Sequence, residues 1–180
     1  MTHWLNRQDI YDGAIIRVSS ADTQLAGQVQ SFDIVTHHGG AAVVPWRGDD
    51  VLLVRQRRPV VDETLLEIPA GKLESADDDR AGRAQAELGE EIGYHAGRLI
   101  RVADFYVSPG YCTERITVFL GLDLEPTEAR PEATEDIEVV EVSLDEVRRM
   151  LDEGHFRDGK TIIGLRELLA YLAREGERHE

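Results

Sequence analysis

Short strand-like runs rich in apolar residues fill much of the chain, and in the run at residues 28–35 apolar and polar residues alternate with the period of two that is typical of β-strands. The runs lie at residues 14–18, 28–35, 41–46, 51–56, 65–68, 99–107, 115–120 and 137–142. The four residues between the third and fourth runs (RGDD, 47–50) are typical of a hairpin turn. The pattern therefore predicts a β-sheet that contains antiparallel pairs.

Helical periodicity replaces this alternation in the segment of residues 78–92. Its apolar side chains recur on one narrow face, which predicts a helix that packs against the sheet; they are Ala81, Ala84, Leu88 and Ile92. The predicted ends are marked by two candidate N-caps and a glycine stop, Ser75, Asp77 and Gly93.

Two more helices are predicted near the end of the chain. A capping box of Ser143 and Glu146 opens a helix that reaches about residue 151. The last helix covers residues 161–174 and turns its apolar side chains inward, namely Ile162, Leu165, Leu168, Leu169 and Leu172. No repeat or linker divides the chain. Together the elements predict an α/β fold in which helices cover the faces of a mixed sheet.

The charge balance excludes one large class of partners. The chain has 20 Lys and Arg against 35 Asp and Glu, a net charge of −15, whereas nucleic-acid binding needs a basic surface. The first residues lack an apolar secretory core and no 18-residue apolar run is present, so we expect no membrane span. The single cysteine, Cys112, forms no intrachain disulfide. We therefore expect a cytoplasmic location.

Three carboxylates are crowded on the first predicted helix. Glu87, Glu90 and Glu91 fall within an arc of about 100°, where like charges repel each other. One interpretation of such a run is a solvent-exposed helix face without a specific function. Hard cations such as Mg²⁺, however, bind to oxygen-rich clusters of this kind. The cluster therefore predicts metal-assisted chemistry on phosphate groups.

The segment 71–93 resembles the signature of the Nudix hydrolases, G-x5-E-x7-R-E-U-x-E-E-x-G-U, in which U is aliphatic. Gly71 opens the signature and residues 87–93 (ELGEEIG) close it with its E-U-x-E-E-x-G core intact. The chain departs from the pattern in three respects. One extra residue follows Gly71, Asp78 stands at the early glutamate, and Ala86 replaces the arginine.

Further landmarks resemble the ADP-ribose pyrophosphatase branch of this family and extend the likeness over roughly residues 30–175. They lie at residues 35–41, 56–58, 66–74 and 108–115. The resemblance implies a Nudix-type α/β/α sandwich over residues 41–180. It also implies a small N-terminal β-sheet region over residues 1–40 that contributes to a homodimer. There, Trp4 and Phe32 are candidate stacking or interface aromatics, whereas Trp46 is better explained by core packing.

The resemblance also implies the metal ligands. Glu87 and Glu91 would bind the cation together with the Ala70 carbonyl, and Glu90 would coordinate it directly or through water. Mg²⁺ is the expected cofactor, with Mn²⁺ as the second candidate. The arginine that normally holds a signature glutamate is missing at Ala86. Arg83 lies one turn before Glu87 and is a candidate substitute, with a plain surface residue as the alternative.

Four residues are candidates for contacting the substrate. Arg57 and Arg58 fit a clamp for the diphosphate, with Arg58 the better match to the branch; a surface ion pair is the alternative. Glu67 is a candidate for the terminal sugar or a metal, against a structural ion pair. Tyr111 is a candidate pocket residue, although loop aromatics also serve packing.

The general base of this branch is usually a glutamate on a loop after the signature. The candidate loop is 130–136, and Glu135 is preferred over Glu132 as the catalytic residue. The implied reaction is the metal-dependent hydrolysis of ADP-ribose to AMP and ribose 5-phosphate. Two alternatives stay open. One is another nucleotide sugar such as GDP-mannose, and the other is a catalytically weakened nucleotide sensor, which Ala86 would favour.

Overall fold

The computed structural model describes residues 2–128 and 136–177, which form two β-sheets and three α-helices. The strands are β1 (Leu5–Asp12), β2 (Arg17–Leu25), β3 (Gln28–Thr36), β4 (Gly40–Arg47), β5 (Asp50–Arg58), β6 (Glu63–Glu67), β7 (Ala70–Lys72), β8 (Tyr94–Tyr106), β9 (Arg115–Pro126) and β10 (Ile137–Ser143). The helices are α1 (Arg80–Glu87), α2 (Leu144–Asp152) and α3 (Gly159–Glu177). Within these residues, no helix is long and apolar enough to cross a bilayer.

The larger sheet is mixed, as the sequence predicts. Its strands follow the order β10-β5-β4-β9-β8, with β6 paired to β5 and β7 to β4. Strands β4 and β9 are parallel, while the other pairs are antiparallel. One face packs on α1 and the other on α2 and α3, so the domain has three layers. Trp46 contacts Tyr171 edge to face on the α3 side, which agrees with core packing.

The smaller sheet is antiparallel and consists of β1, β2 and β3. The strand predicted at residues 14–18 is wrong in its position, because β2 begins at Arg17 and a turn precedes it. Sequence analysis did not predict strand β1. All of its residues are exposed, so burial does not impose an apolar face on its sequence. The buried residues of β2 are small or polar rather than apolar, which hides its alternation; they are Ser19, Ala21 and Thr23.

Helix α1 differs from the prediction at both ends. It begins at Arg80 because the N-cap is Asp79, whose side chain accepts a hydrogen bond from the Ala81 amide at 3.1 Å. The predicted caps Ser75 and Asp77 lie outside the helix. After Glu87 the chain widens into a π-helical turn, Leu88–Ile92. Such turns are frequent at functional sites.

The predicted glycine stop is confirmed. Gly93 adopts a left-handed conformation with φ of 72°, and its amide donates to the Leu88 carbonyl five residues earlier. The wider turn changes the spacing of the acidic side chains from that of a regular α-helix. As a result Glu90 is 39% exposed, while Glu91 is buried at 5%.

Candidate active site

Two neighbouring cavities lie along the edge of the larger sheet where β6 and β7 meet α3. The first has a volume of about 760 Å³ and is lined by Ala70, Gly71 and His37, among others. The second, of about 710 Å³, is lined in part by the predicted substrate residues of β5 and β6. Asp158 and Lys160 belong to the walls of both cavities. The candidate site therefore extends across both.

The carboxylates of Glu87 and Glu91 are buried beside this edge, at 4% and 5% exposure. The backbone of β7 approaches Glu87 so closely that a Cβ atom added at Gly71 would lie 1.5 Å from Oε1 of Glu87. Only glycine leaves room for that contact. The glycine that opens the signature thus allows the Ala70–Gly71 backbone to reach the first glutamate. That Glu87 and the Ala70 carbonyl bind one cation together, as the resemblance implies, stays a prediction.

Arg83 forms ion pairs with two of the three signature glutamates. Its Nη2 atom contacts Glu87 Oε1 and lies 3.6 Å from Glu90 Oε2. The arginine is one helical turn before Glu87, a spacing at which side chains meet on a helix. The chain therefore places a guanidinium on the signature glutamates although Ala86 has none.

The donor chemistry of this site fits a hard divalent cation. In residues 2–128 and 136–177, no three His, Cys, Asp or Glu side chains form a ready metal cluster. Mg²⁺ does not require one, since it is usually bound by one or two carboxylates and retains several waters. Glu87, Glu91 and the adjacent Ala70 backbone offer only oxygen ligands. These residues match the preference of Mg²⁺ or Mn²⁺ for oxygen.

Glu67 lines the second cavity and is 1% exposed. Arg58 binds it in a bidentate manner, from Nε to Oε1 at 2.7 Å and from Nη2 to Oε2 at 2.8 Å. Lys160 Nζ also contacts Oε2. Burial opposes the ionisation of Glu67, but these two cations outweigh it and hold the pKa of Glu67 below its usual value. Glu67 is therefore a carboxylate that orients Arg58 and Lys160.

Arg58 also links Glu67 to the signature glutamates. Its pKa is raised above the usual value, first by the hydrogen bonds to Glu67 and further by the charges of Glu67, Glu91 and Asp158. Burial acts in the opposite direction. Arg58 thus lies within reach of the charges of Glu91 and Asp158 as well as of Glu67, and its guanidinium is the positive group among these carboxylates that phosphate oxygens would meet.

Sequence analysis missed Asp158, Lys160 and Thr161. Lys160 Nζ lies 3.0 Å from Asp158 Oδ2, and Asp158 accepts hydrogen bonds from the amide and the hydroxyl of Thr161 at 3.0 and 2.5 Å. An Asp placed three residues before Thr161 at the start of a helical pattern is an N-cap signal. That signal was available in the sequence, but it gave no hint of contact with Glu67.

The other predicted site residues are dispersed. Arg57 lines the second cavity and pairs with Asp62 across the exposed β5–β6 turn. Tyr111 is 57% exposed and is absent from the walls of both cavities; its carbonyl accepts a hydrogen bond from the Val35 amide at 2.8 Å. The two candidate bases, Glu135 and Glu132, lie outside the described residues.

Curated relatives are similar over most of the chain. An ADP-ribose pyrophosphatase from Bacillus subtilis (strain 168) is 34% identical over 176 residues, covering 96% of this chain and 95% of the relative. A methanol dehydrogenase activator from Bacillus methanolicus is 31% identical over 91% of this chain and 90% of its own. A GDP-mannose pyrophosphatase from Citrobacter koseri is 34% identical over 68% of this chain and 65% of its own.

The fold has a counterpart among solved structures. A chain described as an ADP compounds hydrolase superposes with a TM-score of 0.84 at 19% identity and covers 97% of this chain and 96% of its own. The three-layer arrangement is therefore the one that this hydrolase has. The NUDIX domain family matches residues 36–163. Because this match includes β4 to β10 and the glutamate cluster, the chain belongs to the Nudix family.

Proposed function

We propose that the protein hydrolyses the diphosphate linkage of nucleoside diphosphate sugars, with ADP-ribose as substrate and AMP and ribose 5-phosphate as products. The observation that carries the proposal is the burial of Glu87 against the β7 backbone and of Glu91 within reach of the charge of Arg58, which is paired with Glu67. Oxygen ligands for a cation and an oriented guanidinium for phosphate thus lie side by side. Similarity to an ADP-ribose pyrophosphatase supports the choice of substrate.

In this proposal Glu87, Glu91 and the Ala70 carbonyl hold the cation, Mg²⁺ or alternatively Mn²⁺, with Glu90 at the exposed side. A bound divalent cation supplies Lewis acidity and makes water a stronger nucleophile. The water oxygen bonds to one phosphorus, and the bridging oxygen leaves with the other phosphate. Glu135, or in second place Glu132, takes the proton of the attacking water.

The substrate residues act through charge and orientation. Arg58 donates to phosphate oxygens while Glu67 holds its guanidinium plane fixed. Arg57 and Tyr111 remain substrate candidates at the rim and on the neighbouring loop. We expect a small-molecule substrate and a cytoplasmic location, the latter from the single cysteine.

The test is turnover of ADP-ribose beside GDP-mannose and other nucleotide sugars, first with Mg²⁺ and then with Mn²⁺. GDP-mannose is included because pyrophosphatases for it share about a third of their aligned residues with this chain. We expect metal-dependent release of AMP from ADP-ribose that is lost in Glu91→Gln. Faster cleavage of another nucleotide sugar would show that ADP-ribose is the wrong substrate, while the proposed reaction would stand. No turnover of any compound would reject the proposed function.

We further infer that residues 1–40 are a dimerisation region attached to the hydrolase domain of residues 41–180. Strands β1 and β3 expose large apolar side chains, among them Ile10 at 61% and Val29 at 64%. Exposed apolar side chains on both outer strands of this small sheet are available for contact with a second copy of the chain. The protein is therefore expected to be a homodimer.

Charged residues at these positions test the inference. The double change Ile10→Lys and Val29→Lys is expected to convert the dimer to a monomer, because lysines buried at an interface without partners are strongly unfavourable. Light scattering after size-exclusion chromatography measures the mass. The control is Val139→Lys, which places a single lysine on the exposed side of β10, outside residues 1–40, and leaves the dimer intact. A wild-type monomer would contradict the inference.

A further inference from the structure

A chain of hydrogen bonds joins the start of α3 to the end of β6, beneath both cavities. Thr161 has no exposed surface. Its hydroxyl accepts a hydrogen bond from the Ile68 amide at 3.0 Å and donates one to Asp158 Oδ2 at 2.5 Å. The hydroxyl proton and one of the two oxygen lone pairs are therefore engaged, and the direction of the O–H bond is set by Asp158.

The Ile68 amide lies between Glu67 and the strand β7 that approaches Glu87. Its nitrogen is bonded to the carbonyl carbon of Glu67, and two residues later Ala70 begins β7. The intervening Pro69 has no amide hydrogen, although its carbonyl accepts from the Val43 amide at 3.0 Å. Thr161 thus holds at the Ile68 amide a segment whose two flanks are paired with β5, through Glu67, and with β4, through Ala70–Lys72.

We infer that Thr161 is a positioning residue of the hydrolytic site, an inference that rests on the proposed function. Through the Ile68 amide it holds the Glu67 carboxylate beside Arg58 and keeps the Ala70–Gly71 backbone against Glu87. Asp158 holds the Thr161 hydroxyl in the required direction. Errors of about 1 Å in such a site reduce rates by up to about 100-fold.

Helix capping alone does not account for this arrangement. Capping of α3 needs only the bond from the Thr161 amide to Asp158, at 3.0 Å. The hydroxyl in addition accepts a hydrogen bond from Ile68, which lies between β6 and β7 and is 93 residues away in sequence. Thr161→Val keeps the shape of the side chain and the capped amide but removes the hydroxyl. Thr161→Ser keeps the hydroxyl.

The experiment compares these two variants with the wild-type protein. For Thr161→Val we expect kcat for ADP-ribose to fall by about 10-fold, and the Mg²⁺ concentration for half-maximal activation to rise by about as much. The KM for ADP-ribose at saturating Mg²⁺ should change less. Thr161→Ser should restore both values. Exchange of the Ile68 amide hydrogen should be faster in Thr161→Val only.

A matched control is Thr23→Val. Thr23 is also buried, at 4% exposure, and its hydroxyl donates to the His3 carbonyl at 2.9 Å in the smaller sheet. This variant is expected to lower thermal stability without changing the Mg²⁺ requirement. Equal kinetic values in Thr161→Val and Thr23→Val would reject the inference, even if the Ile68 amide exchanged faster.

Calorimetric titration with Mn²⁺ supplies a readout that does not depend on turnover. Thr161→Val should bind Mn²⁺ about 10-fold more weakly than wild type, and equal affinity would reject the inference. If the wild-type protein hydrolyses nothing, the proposed function fails, while the Mn²⁺ comparison still decides the role of Thr161. Should Thr161→Val not fold, Thr161→Ala replaces it, since alanine also lacks the hydroxyl, is a better helix former and leaves the pair of Asp158 and Lys160 in place. It should show a shift of Mn²⁺ affinity in the same direction, and unchanged Mn²⁺ affinity would again reject the inference.

Discussion

Glu91→Gln is expected to lower the turnover of ADP-ribose by about 1000-fold while leaving the fold in place. The amide has nearly the same shape as the carboxylate but no charge, so it is a poor ligand for a hard cation. A loss of about 4 kcal/mol of transition-state stabilisation, of the order that a bound metal supplies, corresponds to this factor. The measurement is kcat/KM at saturating Mg²⁺, together with the thermal unfolding midpoint.

Two companion variants define the meaning of that result. Glu87→Gln should lose activity to a similar extent, although its pairing with Arg83 makes it the more structural of the two. Glu138→Gln removes a carboxylate that pairs with Arg55 at 2.6 Å on the exposed side of β10, and it should leave turnover unchanged. Rates close to wild type in both Glu87→Gln and Glu91→Gln would show that these carboxylates do not hold the metal.

The two site regions differ in how far the sequence predicts them. Residues 87–93 were predictable because their pattern is local, and Gly71 lies close by in the chain. The cluster around Glu67 was predictable only in part, since Arg58 is near in sequence but Lys160 and Thr161 come from a helix 93 residues away. No local pattern encodes such a contact, because it arises from the packing of α3 against the sheet.

The same reasoning explains the errors in the fold. The core strands β4 and β5 were found because burial imposes apolar residues on them. Strand β1 has no buried residue and β2 buries small or polar ones, so hydrophobic periodicity was uninformative. The π-helical turn after Glu87 was missed because its hydrogen-bond register depends on how Leu88 and Ile92 are seated in the core, not on helix propensity.

Ala86 was the one sequence feature in favour of a nucleotide sensor that has lost activity. In the structure, Ala86 is weaker support for a sensor, because Arg83 already contacts Glu87 and lies 3.6 Å from Glu90. Ala86 itself borders a shallow groove of about 560 Å³ that also contains Glu90. There is space for a longer side chain at this position, so the role of the guanidinium can be tested from two directions.

Arg83→Ala is expected to lower kcat by about 10- to 100-fold and to raise the Mg²⁺ requirement, as the loss of a residue that orients metal ligands does. Ala86→Arg in the Arg83→Ala background should recover much of the activity, because it returns a guanidinium to the same carboxylates by the route usual in the family. Steady-state kinetics over a range of Mg²⁺ concentrations measure both effects.

The matched control is Arg149→Ala, since Arg149 also pairs with two glutamates, Glu146 and Glu153, on the exposed surface of α2. Exposed ion pairs contribute little, so this variant should retain its activity. If Arg83→Ala behaves like Arg149→Ala, Arg83 is a surface residue and the signature glutamates are held without it.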